Sequence, residues 1–181
     1  MNLPHIFHRL CALRSLAAAG MLLLITALSA PTASAAGRGE KSFGPRIGYV
    51  SKNDAVGAGL VFQYSFTRSL RVAPEIDIVF RNEGMDAIGV GCNVQFPMSL
   101  GVDRMIVYPF VGPEYMSWNL HGIDEHEEKD VTTHKNRLGA NAGVGFELRC
   151  TSSLKLSLEG RYTAMKHYST CAVFAGIAFV F

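Results

Sequence analysis

Leu70-Arg71-Val72-Ala73-Pro74-Glu75-Ile76-Asp77-Ile78-Val79-Phe80-Arg81 is the stretch on which the reading of this chain turns. On an extended backbone Leu70, Val72, Pro74, Ile76, Ile78 and Phe80 fall on one side, and Arg71, Ala73, Glu75, Asp77, Val79 and Arg81 on the other. A helix would scatter both sets around its axis. A strand, whose side chains alternate, sorts them into an apolar face and a charged face.

The same period of two recurs outward from this stretch. Val56 to Phe66 sets Val56, Ala58, Leu60, Phe62, Tyr64 and Phe66 against Gly57, Gly59, Val61, Gln63 and Ser65. Ile88 to Phe96, Leu138 to Arg149 and Leu154 to Tyr162 repeat it. Phe43 to Val50, Ile106 to Tyr115 and Cys171 to Phe181 bring the predicted strands to eight.

Alternation alone would also suit a water-soluble sandwich. The strand ends separate the two. On the apolar face Phe43, Phe66, Phe96, Phe146, Phe179 and Phe181 collect at one rim, and Tyr49, Phe80, Tyr115 and Tyr162 at the other. Two aromatic girdles around an aliphatic band belong to the two interfaces of a membrane. The predicted fold is therefore all-β, an eight-stranded antiparallel up-and-down transmembrane β-barrel. Closure satisfies every backbone group where lipid offers no hydrogen bonds.

The first residues give the chain an address. Arg9 and Arg14 flank the start of an apolar run from Leu16 to Leu28, followed by Pro31 and Ala33-Ser34-Ala35. This is the order of a cleavable signal peptide, expected over residues 1–35 and leaving 36–181 as a single barrel domain. The run is shorter than the roughly 20 apolar residues that a spanning helix needs. Without Arg9 and Arg14 the remaining chain has 15 basic and 15 acidic residues, so no basic nucleic-acid surface is indicated. Cys92, Cys150 and Cys171 remain, an odd number that cannot form a complete disulfide framework.

Connections set an orientation. Thr67 to Ser69, Pro97 to Arg104 and Cys150 to Ser153 lie on the side of the termini and are expected to face the periplasm. Ser51 to Ala55, Asn82 to Asp86, Ser117 to Arg137 and Ala164 to Thr170 lie on the other side. Only Ser117 to Arg137 is long, and it is read as an extracellular loop able to meet a surface partner.

The leader, the eight alternating strands, the segment YPFVGPEY at Tyr108 to Tyr115 and the ending VFAGIAFVF up to Phe181 give the chain its likeness. It resembles the small outer-membrane β-barrel families, the group of OmpA/OmpX-type domains and porin-family barrel proteins. The resemblance implies a place in the outer membrane, contact with its lipids, and insertion by the barrel-insertion machinery. In that group the machinery reads a terminal aromatic signal, which Phe179 and Phe181 match. It implies little about activity, because one fold hosts many functions.

Turned inward, the polar faces carry Arg46, Arg71, Glu75, Asp77, Arg81, Glu114, Glu147, Arg149, Lys155, Glu159 and Arg161. A mixed-sign interior reads either as an ion path, making the chain a narrow porin, or as a salt-bridged plug. Eight strands leave an interior just wide enough for side chains to fill, which favours the plug. Inward glycines would make room for the longer charged chains. Glu75 and Glu114 also form a conceivable acid/base pair, but catalysis there would need an open path for substrate.

Two further segments carry reactive residue types. His121, Asp124, Glu125, His126, Glu127, Glu128, Asp130 and His134 are all metal-ligand types, but their spacing is loose and reads as a solvated acidic loop. His167-Tyr168-Ser169 resembles part of the catalytic site of outer-membrane lipid A deacylases, in which histidine activates serine. No carboxylate follows Ser169, so an acid such as Glu159 would have to come from another strand. No cofactor is predicted, and a structural or surface-interaction role comes before the channel and hydrolase alternatives.

Overall fold

The structure, a computed structural model, describes residues 37–82, 84–101, 104–124 and 129–181, with the side chains of 121–132 not described. The signal peptide expected over 1–35 lies outside the described residues.

The strands are β1 Lys41–Val50, β2 Ala55–Ser65, β3 Arg71–Asn82, β4 Met85–Gln95, β5 Met98–Ser99, β6 Met105–Asp124, β7 Lys129–Arg149, β8 Leu154–Met165 and β9 Thr170–Val180. Apart from β5, each pairs antiparallel with the next, β4 passing directly to β6. The last strand returns to the first, with Phe43 opposite Phe179 and Val50 opposite Ala172. Eight long strands therefore close into an up-and-down barrel, and β5 is a two-residue ribbon on the lower end of β6.

The predicted alternation governs which residues face where. Along β3, Arg71, Ala73, Glu75, Asp77 and Val79 are buried while Pro74, Ile76, Ile78 and Phe80 are exposed. The exposed set on the other strands is equally apolar, with Ile47, Leu60, Val90, Val144, Leu158, Val173 and Ile177 around the waist. Phe43, Phe66, Phe179 and Phe181 ring the end that carries the termini, and Tyr49, Phe80, Tyr115 and Tyr162 ring the other. A girdled apolar belt of this extent is a membrane surface, since water-soluble monomers rarely expose apolar patches beyond a few hundred Å².

Turns on the termini side are tight, as predicted: Thr67 N–H donates to the Leu70 carbonyl at 3.2 Å and Cys150 N–H to that of Leu154 at 2.9 Å. On the opposite side β3 reverses into β4 within two residues, and Gly84 there adopts a left-handed φ of 71° that favours glycine. The expected long loop 117–137 is different in kind. β6 and β7 pair without interruption from Met105↔Leu148 to Asp124↔Lys129, so its described parts are strand. Pairing of β6 with β4 stops at Leu120 and that of β7 with β8 at Gly139, so the upper part of β6–β7 is a two-stranded ribbon rising above the rim. Period-two patterning is weak there, and the strand ends could not be read from hydrophobicity.

Candidate functional site

The barrel interior holds the concentration of buried charge, arranged in levels by strand register. Nearest the termini, β3 supplies Arg71, β7 Glu147, β8 Lys155, and β2 and β4 the amides Gln63 and Gln95. Arg71 grips Glu147 with both terminal nitrogens, Nη1 to Oε2 and Nη2 to Oε1, each at 2.9 Å. Its Nε donates to Gln95 Oε1 at 2.6 Å. Lys155 Nζ donates to Gln63 Oε1 at 2.6 Å and lies 3.5 Å from Glu147. Ser42, on the same face of β1 as Arg46, donates to the same Gln63 oxygen at 2.8 Å.

Above this lies a second level centred on Arg46 of β1. Its guanidinium reaches Asp77 Oδ2 at 2.7 Å, Glu75 Oε2 at 2.9 Å and Glu159 Oε1 at 3.2 Å. Arg161 of β8 bridges the same Glu75 and Asp77 from the other side. Tyr108 of β6 donates its phenolic hydrogen to Glu159 Oε2 at 3.3 Å. Glu114 forms no ion pair among the described residues; its Oε2 accepts from Asn141 Nδ2 at 2.8 Å, and Thr163 donates to Asn141 Oδ1 at 2.7 Å. Glu75, Asp77 and Glu114 present oxygens within 4.8 Å of one another, a spacing a metal ion can use. Two guanidiniums already occupy the positions between Glu75 and Asp77, and they supply the compensating charge.

The level furthest from the termini is apolar. Phe174 lies against both arginines, 4.7 Å from Arg46 Cζ and 4.8 Å from Arg161 Cζ. It packs with Val50, Val79, Met116, Trp118 and Met165 in a buried cluster that spans the barrel below its mouth. Tyr168, in the β8–β9 turn, stacks over Trp118 with ring centroids 5.8 Å apart.

Of the inward residues predicted from sequence, Arg46, Arg71, Glu75, Asp77, Glu114, Glu147, Lys155, Glu159 and Arg161 are buried and joined as described. Arg149 lies at the rim, where its Nη2 pairs with Glu40 at 2.7 Å, its side chain 25% exposed. Arg81 is a correction. Its side chain is 61% exposed and faces Asp86, because a register shift between Val79 and Asn82 breaks the alternation at the end of β3. The sequence reading missed the aromatic part of the interior: Tyr108, Phe110, Trp118 and Phe174. The signal was present, since Tyr108 and Phe110 share the phase of Glu114 on β6, but the polar set was collected by charge alone.

The other candidates separate. Glu75 and Glu114 are both buried, and Glu75 is paired with Arg46 and Arg161. Ser169 Oγ accepts from Met165 N–H at 3.1 Å and donates to the Met165 carbonyl at 2.9 Å, a turn-stabilising pair that leaves His167 aside. His134 Nδ1 meets Asn119 Oδ1 across the ribbon at 2.6 Å. The remaining metal-type residues of the expected loop fall on side chains outside those described. Cys92, Cys150 and Cys171 are free and exposed.

No protein-family model and no curated protein sequence matches the chain. Solved structures do. The N-terminal β-barrel domain of Pseudomonas aeruginosa OprF superposes with a TM-score of 0.66 at 13% identity, covering 81% of this chain and 100% of that one. A major outer membrane protein of Thermus thermophilus gives 0.62 at 14% identity, with 78% and 99% covered. Ail, the attachment invasion locus protein of Yersinia pestis, gives 0.59 at 12% identity, with 80% and 100% covered. The fold is therefore that of small transmembrane barrels found in outer membranes.

Proposed function

We propose that this chain is an outer-membrane protein whose lumen is closed, and that its role is structural or surface-directed, not conductive. One observation supports the reading: buried, paired charges line the lower levels of the interior and the apolar Trp118 cluster lies above them. An ion crossing would have to displace guanidinium–carboxylate contacts held at 2.7–2.9 Å and then an apolar layer. Breaking a buried pair costs about 3–5 kcal/mol, far above thermal energy.

Surface contact on this reading belongs to the β6–β7 ribbon, which stands clear of the rim where the pairing of β6 with β4 and of β7 with β8 stops. Outer-membrane lipids contact the apolar belt, and Phe179 and Phe181 serve as the signal for barrel insertion. Both are strongly exposed on the termini-side girdle, where a partner can reach them.

Single-channel recording in planar bilayers tests closure. The expected result is a quiet membrane at protein levels that give stable insertion; reproducible unitary openings would replace this reading with the narrow-porin alternative. Retarded mobility of the boiled band relative to the unboiled one, confined to the outer-membrane fraction, tests the location. A soluble product without that shift would overturn it.

A further inference from the structure

The mouth above the apolar cap carries charge that the lumen does not use. Lys52, in the β1–β2 turn, and Arg137, on β7, both approach the ring of Tyr168, with Lys52 Nζ 5.4 Å and Arg137 Cζ 5.6 Å from its centroid. These distances are in the range at which a cation is attracted to an aromatic face. Neither cation makes an ion pair with a carboxylate among the described residues. Lys52 Nζ is held by the His167 carbonyl at 3.3 Å, and Arg137 Nη1 by the Asn136 carbonyl at 3.2 Å.

The turn that places Tyr168 is itself constrained. His167 has a left-handed φ of 67°, uncommon for a residue other than glycine, and Ser169 ties the turn back to Met165. Strained backbone of this kind collects where surrounding structure holds a group for use. The result is two cations at one half-buried aromatic ring, neither paired with a carboxylate among the described residues.

Among the described backbone of β7, Asp130 stands far from the two cations. Asp130 is seven residues along β7 from Arg137, which at about 3.3 Å per residue separates their backbones by roughly 20 Å. At physiological ionic strength the screening length is about 8 Å.

We propose that Lys52, Arg137 and Tyr168 form an anion site at the barrel mouth, taking a soluble phosphate- or sulfate-type group that bridges the two cations. Tyr168 packs onto buried Trp118 and the interior apolar cluster, so its ring is turned toward the barrel interior and not toward the lipid-facing perimeter. A dissolved anion reaches it from above, whereas a headgroup anchored in the surrounding leaflet would have to cross the rim. The site names a partner chemistry for the surface role proposed above, but it does not depend on the lumen being closed.

Trp118 is the single tryptophan of the chain and touches the site through Tyr168, so its emission reports occupancy. The protein is folded into phosphatidylcholine nanodiscs and titrated with inorganic pyrophosphate at constant ionic strength maintained with sodium chloride. The expected result is a saturable change in Trp118 emission whose midpoint rises at least tenfold in the Lys52→Ala/Arg137→Ala double variant. Lys166→Ala, which removes one charge from the same turn without touching the ring pair, should stay within twofold. Heat-dependent gel mobility verifies that each variant is folded.

Absence of a saturable response would overturn the proposal, as would an equal response to sodium chloride alone. Equal weakening by Lys166→Ala would replace the site with diffuse rim charge. A change produced by discs containing phosphatidic acid, and not by pyrophosphate, would assign the anion to lipid and overturn the soluble source. None of these outcomes bears on conductance, so failure of the anion site and failure of the closed-lumen reading are distinguishable.

Discussion

Gly145 stands opposite Tyr108 on the neighbouring strand, and the phenol ring fills the space a side chain would take: a Cβ on Gly145 would lie 2.0 Å from Tyr108 Cζ. That ring is also the one under Arg71, 4.8 Å from its Cζ, and it donates to Glu159. The glycine thus links the two charged levels of the lumen. Gly145→Val should displace the ring and lose both contacts. Overpacking of this kind costs about 1–3 kcal/mol, which denaturant unfolding of the refolded barrel in micelles would register as a lowered midpoint. An unchanged midpoint would mean that the ring has another place to go.

Arg46 serves three carboxylates from one position, so its removal should cost more than a single contact would suggest. Arg46→Met leaves Asp77, Glu75 and Glu159 with reduced compensation in the interior, for an expected loss of about 3–5 kcal/mol. Arg46→Lys should recover only part of it, because an ammonium cannot reproduce the forked contact of Nε and Nη2 with the two Asp77 oxygens. Arg81→Ala is the comparison: a charge at the exposed end of β3, it should change stability by less than about 0.5 kcal/mol. Equal losses at Arg46 and Arg81 would show that the lumen pairs do not govern stability.

These two positions also show how far the sequence could be read. Arg46 and Arg81 have the same side chain and the same phase with their neighbouring apolar residues, and sequence alone placed both inside. Period two is reliable only while the ladder keeps its register, and the shift between Val79 and Asn82 is a pairing property with no mark in the local pattern. The barrel, its eight strands and its girdles were legible because every membrane-spanning strand must present an apolar face to lipid. The β6–β7 ribbon was not, since beyond the rim no such face is demanded. The aromatic levels of the lumen were legible in principle from the phase of β6, and the partners of each charge were not, because they depend on which strands stand opposite across the barrel.

On the closed-lumen proposal, the apolar cap and the charged level beneath it make a separable prediction. Trp118→Ala removes the largest side chain of the upper cap, for an expected cost of about 3–5 kcal/mol if the cavity does not collapse. Conductance should nevertheless stay absent, because Arg46, Arg161 and their carboxylates still fill the level below. Planar-bilayer recording on the variant, beside its unfolding curve, checks both halves. Openings in Trp118→Ala would show that the apolar cap alone holds the barrel shut, with the charged levels permeable beneath it.

Phe179 and Phe181 are the last test, because two roles are open to an exposed aromatic at this rim. Phe179 pairs across strands with Phe43 and Leu154, and would anchor the barrel at the interface whatever inserts it. Phe181 is 71% exposed beyond the last paired residue of β9, where it contributes little packing, yet its backbone N–H donates to the Lys41 carbonyl at 3.0 Å. If its side chain acts as a signal, Phe181→Ala should reduce the heat-modifiable form in outer-membrane fractions severalfold. Spontaneous refolding of the same variant into lipid vesicles, where no machinery is present, should proceed as in the parent. Parallel loss in both assays would assign Phe181 to packing and lipid anchoring, and would withdraw the insertion signal from this end of the chain.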